Sequence, residues 1–245
     1  MFHTQYGIIP AIILAGGLGT RLRSVVSEVP KPMAPLNGRP FLEYLLDYWI
    51  AQGVRHFILS IGYRSELITA HFGESYCGAR IEYSIETEPL GTGGGLFLAM
   101  DLLPGDDTFL LLNGDTFFEV SLNTLMDFHH AQQSGWTLAL SRANETGRYM
   151  EFVKDLNGRI LSISSNSTCG ERLVNGGVYL ISPNTIRIAN LTETAITSLE
   201  DDVIPYVLAA GERVFGLKCE GRFIDIGLPR DYLRAAELIY ERGAI

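Results

Sequence analysis

At 245 residues, with 47% hydrophobic and 19% charged side chains, the chain is long enough for one large α/β unit and ordinary in composition. Its net charge of −9 excludes a non-specific nucleic-acid binder, which needs a basic face for phosphates. The apolar runs are of strand length, well below the roughly 20 residues that span a bilayer, and no basic-then-apolar leader opens the chain, so a cytoplasmic protein with no membrane partner is expected.

In chain order, the continuous apolar run over 8–14 stops at Gly16-Gly17 and predicts a buried parallel strand. A helix follows over 41–51, a strand over 56–61, and a helix from Ser65, taken as its N-cap, to Ala70. A strand over 81–85, a helix over 94–102, a strand over 108–112, a helix over 122–133 and a strand over 137–141 complete the first half. Short strands dominate the second half, over 151–154, 160–164, 174–181, 214–217 and 222–226, with helices near 200–210 and 230–242. The alternation predicts a Rossmann-like α/β fold: a mixed, mostly parallel sheet flanked by helices, with ligands at the carboxyl ends of its strands. One domain over 1–245 is expected, with a nucleotide-binding half over about 1–135 and a second-substrate half over about 136–245 that extends the sheet. Cys77, Cys169 and Cys219 are scattered without metal-ligand spacing, which argues against a disulfide framework or a zinc site.

An acidic protein that binds phosphates must gather cations locally. The first strand runs into Ala15-Gly16-Gly17-Leu18-Gly19-Thr20-Arg21-Leu22-Arg23. Glycines let backbone N–H groups approach phosphate oxygens. A dinucleotide fingerprint fails because Leu22 holds the third glycine's place, and a P-loop fails because Gly19-Thr20-Arg21 does not end in Gly-Lys-Ser/Thr. Taken alone, the loop reads equally well as a mobile turn. Nine residues past Arg21, Pro30-Lys31-Pro32-Met33-Ala34-Pro35 stiffens the backbone around one lysine, scaffolding that a solvated surface lysine does not need.

These two segments together resemble the signature of the sugar-nucleotide pyrophosphorylases. The resemblance continues through Gly38-Arg39-Pro40-Phe41-Leu42-Glu43-Tyr44, Glu88-Pro89-Leu90-Gly91-Thr92-Gly93-Gly94, Asn113-Gly114-Asp115, Asn175-Gly176-Gly177-Val178-Tyr179 and Phe223-Ile224-Asp225-Ile226-Gly227, over nearly the whole chain. It implies a glycosyltransferase-A-like nucleotidyltransferase fold and transfer of a nucleoside monophosphate from a triphosphate to a sugar 1-phosphate, releasing pyrophosphate. Residues 23–35 and the short C-terminus most resemble the branch that uses GTP and a heptose 1-phosphate.

The reaction brings two anions together, so charge cancellation and alignment are the protein's main tasks. A Mg2+ ion held by one or two carboxylates and phosphate oxygens is the expected cofactor. Asp115 follows a strand and Asp225 stands in an apolar one, where an unpartnered carboxylate is costly. Either alone reads equally as a structural group; the resemblance makes them the metal pair. It also makes Arg21, Lys31 and Asp115 catalytic, with Arg21 nearest the α-phosphate. Leu14, Ala15, Gly16, Gly17, Gly19, Thr20, Arg21, Glu88, Gly91, Thr92, Asn113 and Gly114 are the expected nucleotide contacts. The 91–95 run would meet base and ribose, and a carboxylate from Glu86 or Glu88 would suit guanine. Each glutamate also reads as a solvated loop charge, and Glu200 as a charge favoured at a helix N-terminus.

The acceptor side departs from the family's pattern. Relatives usually carry a lysine ahead of Asn-Gly-Gly-Val-Tyr that holds the sugar phosphate, whereas this chain has no lysine between Lys154 and Lys218. Met150 follows Arg148-Tyr149 where glycine is usual, and Gly227-Leu228-Pro229-Arg230 stands where Thr and Glu are common. Asn175, Gly176, Glu200, Arg172 and Tyr149 are therefore the expected acceptor contacts, with Arg172, or else Arg148, replacing the lysine. Three readings stay open: a guanylyltransferase on heptose 1-phosphate; a transferase with another base or acceptor, such as another hexose 1-phosphate or phosphocholine; and a non-catalytic relative. The expected partners are the two substrates alone, with no nucleic acid, and self-association as a homo-oligomer is compatible with the sequence.

Overall fold

A computed structural model describes residues 9–22, 24–142, 150–164, 172–187 and 196–240. Ile8, Arg23, Arg148, Tyr149, Cys169 and the 165–170 loop lie outside the described residues, as does the expected end of the last helix at 242. In the first half come β1 (Ala11–Leu14), a hairpin of β2 (Pro35–Leu36) and β3 (Arg39–Pro40), α1 (Phe41–Ala51), β4 (His56–Ile61), α2 (Ser65–Phe72), β5 (Ser75–Tyr76) and β6 (Ala79–Ile85). Then follow α3 (Gly91–Met100), β7 (Phe109–Asn113), β8 (Thr116–Phe118), α4 (Leu122–Ala131) and β9 (Trp136–Arg142). The second half supplies β10 (Glu151–Lys154), β11 (Ile160–Ser164), β12 (Leu173–Ile181), α5 (Pro183–Arg187), a π-helical turn (Leu199–Val203), α6 (Ile204–Ala209), β13 (Val214–Lys218), β14 (Phe223–Asp225) and α7 (Pro229–Tyr240).

The strands β6-β4-β1-β7 are all mutually parallel and form the centre of one ten-stranded sheet. Beyond β7 the sheet turns antiparallel through β12, which pairs along one side with β9 and along the other with β7 at its C-terminal end and β10 at its N-terminal end. This is the expected sheet extension. Central strands are buried on both faces, as their unbroken apolar sequences require. In β1, Ala11 and Ile13 face one core with Leu45, Leu46, Trp49, Ile68 and Leu125, while Ile12 faces the other with Leu96, Ile186 and Val207. Helices thus cover both faces: α1, α2, α4 and α7 on one, α3, α5 and α6 on the other. Burying the large side chains of α1 contributes about 1.5–3 kcal/mol each, which fixes the helix that follows the Lys31 segment.

Several boundaries differ from the sequence reading. The first strand starts at Ala11, after Ile9 and Pro10. Ser65 is the first residue of α2 rather than its cap; Arg64, in left-handed conformation at φ 53°, holds the cap position. The third helix begins at Gly91, because Thr197 C=O accepts from Gly93 N–H at 2.8 Å and satisfies a donor that otherwise ends the helix. The 200–210 helix is split: Ser198 Oγ accepts from Asp201 N–H at 3.0 Å and Ser198 N–H donates to Asp202 Oδ2 at 2.7 Å, a reciprocal cap that opens the π-helical turn before α6. The last strand is only Phe223–Asp225, and it belongs to a separate ribbon with β8.

Candidate active site

The carboxyl ends of the four central parallel strands converge on one cleft. β1 ends at the glycine loop, β4 before Gly62, β6 before Glu86 and β7 before Gly114-Asp115. Gly114 N–H donates to Leu14 C=O at 2.8 Å, and an added Cβ there would stand 2.6 Å from the same oxygen, so glycine lets the two strand ends close together. The loop itself is pinned by Leu22, 1% exposed, whose N–H returns to Gly19 C=O at 3.0 Å.

Lys31 opens a short 3-10 turn, Lys31–Met33, held by Met33 N–H to Pro30 C=O at 2.8 Å and anchored by buried Pro32 and Met33. Its body passes beside the loop: a Cβ on Gly19 would lie 3.1 Å from Lys31 Cβ. Its ammonium ends in an ion pair with Asp115 Oδ2. The proline-clamped lysine therefore points into the cleft as its sequence setting predicts.

The two aspartates are brought together by the β8–β14 ribbon. Asp115 immediately precedes β8, Asp225 ends β14 opposite Thr116, and Ile226 N–H donates to Asp115 C=O at 3.0 Å. Thr116 Oγ1 donates to Asp115 Oδ1 at 3.2 Å and Gly227 N–H to Asp225 Oδ1 at 2.6 Å. At the ribbon's other end Arg222 Nη2 donates to Glu119 Oε1 at 2.5 Å, and Glu119 N–H to Arg222 C=O at 2.9 Å.

β12 adds the opposite wall. From Asn175 to Tyr179 it takes four steps while its partner β9 takes two, from Leu140 to Leu138, so the Asn-Gly-Gly segment bulges out of the ladder. Gly177 sits at φ 70°, a conformation that favours glycine. Asn175 Oδ1 accepts from Gly177 N–H at 3.0 Å, and its amide nitrogen donates to Tyr179 Oη. Burial holds the Tyr179 hydroxyl well above its ordinary range, with the nearby Glu200 charge adding to the effect.

These walls enclose two adjoining cavities. The first, about 520 Å³, is lined by Leu14, Ala15, Gly16, Glu86, Pro89, Gly91 and Thr92 on its outer side. The second, about 600 Å³, is lined by Arg21, Met150, Asn175, Asp201, Phe223, Asp225 and Leu228. Gly17, Gly19, Thr20, Lys31, Asn113, Asp115 and Glu200 border both, forming a shared wall. Asn113 Oδ1 in that wall is buried without a hydrogen-bond partner among the described residues. Glu200 reaches the wall from the π-helical turn: Thr92 Oγ1 donates to Glu200 Oε2 at 3.0 Å and accepts from Leu199 N–H at 2.8 Å. Burial pushes the Glu200 carboxyl up.

Three expected contacts are placed elsewhere. Glu88 is exposed and lines neither cavity, whereas Glu86 turns in: a Cβ on Gly16 would meet its Oε1 at 2.4 Å. Its carboxylate accepts from Ser60 Oγ and Leu90 N–H, each at 3.1 Å. Arg172 is committed to Glu151, donating from Nε at 2.8 Å; that carboxylate is 1% exposed and draws the guanidinium to neutralise it, raising the arginine's pKa. Gly176 lines neither cavity and instead makes room for the Phe118 ring. Tyr149 lies outside the described residues. Met150 and Leu228, where the sequence departs from the family's pattern, and Phe223 of the last motif line the second cavity, while Thr116 and Ile196 line the site without any signal in the sequence.

The chain matches the nucleotidyl transferase family model over residues 10–242. It belongs to that family. It is 40% identical over 225 residues to D-glycero-alpha-D-manno-heptose 1-phosphate guanylyltransferase of Aneurinibacillus thermoaerophilus, covering 92% of this chain and 96% of that protein. The Campylobacter jejuni protein of the same name is 37% identical over 224 residues, covering 91% and 96%. In three dimensions the chain is similar to HddC from Yersinia pseudotuberculosis, solved with GMP-PN, at a TM-score of 0.79 and 31% identity over 95% of this chain and 100% of that one. A Bacillus anthracis structure described as a putative glucose-1-phosphate thymidylyltransferase, at 20% identity and a TM-score of 0.81, shares the fold. The protein is thus a nucleotidyltransferase with the glycosyltransferase-A-like fold. Among the described residues no helix is long and apolar enough to cross a membrane.

Proposed function

We propose that the protein transfers GMP from GTP to D-glycero-α-D-manno-heptose 1-phosphate, releasing pyrophosphate. The observation that carries this reading is the shared wall: two cavities, each sized for one substrate, meet at the glycine loop, Lys31 and Asp115. Near full-length similarity to guanylyltransferases supports the choice of substrates.

In this reading the cavity beside Glu86 takes the nucleoside. A carboxylate with two acceptor oxygens complements guanine N1–H and the exocyclic amine, a donor pair that adenine, cytosine and uracil do not present. The glycine-loop backbone and Lys31 hold the triphosphate. Arg21 borders the second cavity, so it meets the transferred phosphorus from the acceptor side. Among the described residues, Arg21 and Lys31 are the cations that line that cavity, and with Arg172 engaged by Glu151 they serve the acceptor phosphate as well. Glu200 and Asn175 supply acceptors for sugar hydroxyls. An acceptor phosphate oxygen so placed attacks the α-phosphorus, and pyrophosphate leaves.

Asp115 and Asp225 fit Mg2+. Among the described residues no cluster of three or more His, Cys, Asp or Glu ligands forms, and magnesium binds through one or two carboxylates plus phosphates and water. When bound, it supplies charge neutralisation for the phosphates. The ten-stranded sheet that runs through both halves supports treating residues 1–245 as one catalytic domain.

The test is pyrophosphate release with each of GTP, ATP, CTP and UTP against heptose 1-phosphate, mannose 1-phosphate and phosphocholine. GTP with heptose 1-phosphate should give the highest kcat/KM, by tenfold or more over other pairs. A higher value for another nucleotide or acceptor replaces this substrate assignment.

A further inference from the structure

Lys31 is expected to serve phosphates, yet its ammonium is paired with Asp115, one of the two carboxylates that suit a metal. The second carboxylate is close by. An added Cβ on Gly227 would lie 2.7 Å from Asp225 Oδ1 and 3.3 Å from Lys31 Nζ, so the ammonium paired with Asp115 and the Asp225 carboxylate border one point, kept open because residue 227 has no side chain. Asp115 precedes one strand of the ribbon and Asp225 ends the other, and both line the same cavity; two carboxylates that share a cleft repel unless a cation stands with them. Lys31 is also tethered on a rigid 3-10 turn, so it reaches this position without disordering its backbone.

We propose that Lys31 is the resident cation of the Asp115–Asp225 pair in the empty protein, holding the place of the metal until the nucleotide arrives. The inference rests on reading that pair as the metal site. The triphosphate on the neighbouring glycine loop then competes for the ammonium, and as Lys31 turns to it the carboxylates become free for a divalent ion. Metal without nucleotide binds weakly because it must displace a covalently tethered cation; metal with nucleotide binds well.

The experiment measures Mn2+ binding to the full chain by electron paramagnetic resonance, with and without a non-hydrolysable GTP analogue. Lys31→Met, which keeps the length of the side chain and removes its charge, should tighten Mn2+ binding to the nucleotide-free protein by tenfold or more. Arg21→Met, which removes an equal charge from the same cleft, should change it by less than threefold. An unchanged or weaker Mn2+ affinity in Lys31→Met overturns the proposal, and so does an equal gain in Arg21→Met, which would reduce the effect to the general field of the cleft. Wild-type protein that binds no Mn2+ even with the analogue removes the metal pair itself and with it this inference. A second reading needs no variant: the Lys31 Nζ nitrogen resonance should shift when Mg2+ is added with the analogue and stay in place with the same Mg2+ alone. A resonance that moves equally in both cases also overturns it.

Discussion

Glu86 shows how one side chain can carry base choice. Its carboxylate is held between Ser60 Oγ and Leu90 N–H, each at 3.1 Å, with Gly16 and Gly95 leaving room around it. Glu86→Gln keeps the shape but exchanges one acceptor oxygen for a donor, which would face guanine's own donors. A hydrogen bond to a charged group is worth about 1.5–3 kcal/mol, so kcat/KM for GTP should fall by roughly 10- to 100-fold. The rate with UTP should fall less, narrowing the preference. Steady-state kinetics with both nucleotides measures this, and an undiminished ratio assigns base recognition to another group. The residue-level site was well marked in the sequence where a motif dictates backbone: the loop to Thr20, Lys31, Asn113 and Asp115 all reach the cleft. Glu88 and Arg172 were misplaced because sequence gives proximity along the chain and not direction. Glu86 and Glu88 differ by two residues at the end of a strand, and only the strand's course turns one inward. For Arg172 the competitor of a phosphate is the buried Glu151 on the adjacent strand, which stands 21 positions away in the sequence.

At the scale of elements, the bulge in β12 and the β8–β14 ribbon depend on each other. Gly176 leaves room for Phe118 of β8: an added Cβ would stand 2.3 Å from Phe118 Cδ1 and 2.8 Å from Ala139 C=O. Neither the ring, which is 1% exposed, nor the strand carbonyl can retreat freely. Gly176→Ala should therefore destabilise by about 1–3 kcal/mol, the usual range for overpacking, and lower Tm by several degrees in calorimetry. Because Phe118 lies on the ribbon that aligns the two aspartates, turnover should fall more than the folded fraction does. A variant with wild-type Tm and rate would show the bulge to be compliant. The ribbon is only half legible in the sequence: residues 222–226 read as a strand, of which Phe223–Asp225 forms, but the partner Thr116–Phe118 is a three-residue segment too short to carry a periodic signal. The long elements α1 and β4 were found to the residue, since their apolar spacing spans whole turns or whole strands.

At the scale of the whole molecule, acid sensitivity has a source far from the cleft. His129, 2% exposed on α4, bonds Thr137 Oγ1 through Nδ1 at 2.8 Å. Burial, and secondly the neighbouring His130, lowers its pKa from 6.5 to about 4. The unfolded chain therefore takes up this proton at higher pH than the folded one. The stability linked to His129 is fully present above about pH 6.5 and is lost as the pH falls towards 4, to a total of about 3 kcal/mol. Urea denaturation at pH 8, 6 and 5 should show this loss in the wild type, and His129→Gln should flatten it. An equal slope in both proteins places the acid sensitivity elsewhere.

The strand order also bears on how the chain is made. β7 lies at the heart of the finished sheet, yet one of its two neighbours, β12, is synthesised only after β8, α4, β9, β10 and β11. Among the described residues β9 in turn pairs with β12 and β13 alone, both of which come after it. At the usual pace of about 5–20 residues per second, a nascent chain carries the bare flank of Phe109–Asn113 for on the order of several seconds. That flank is a run of fully buried Phe and Leu residues in the finished protein, and until β12 emerges it is an open edge on which another chain can add. The ribosome-bound half-protein is thus a natural client for a chaperone, a dependence that the finished enzyme no longer has.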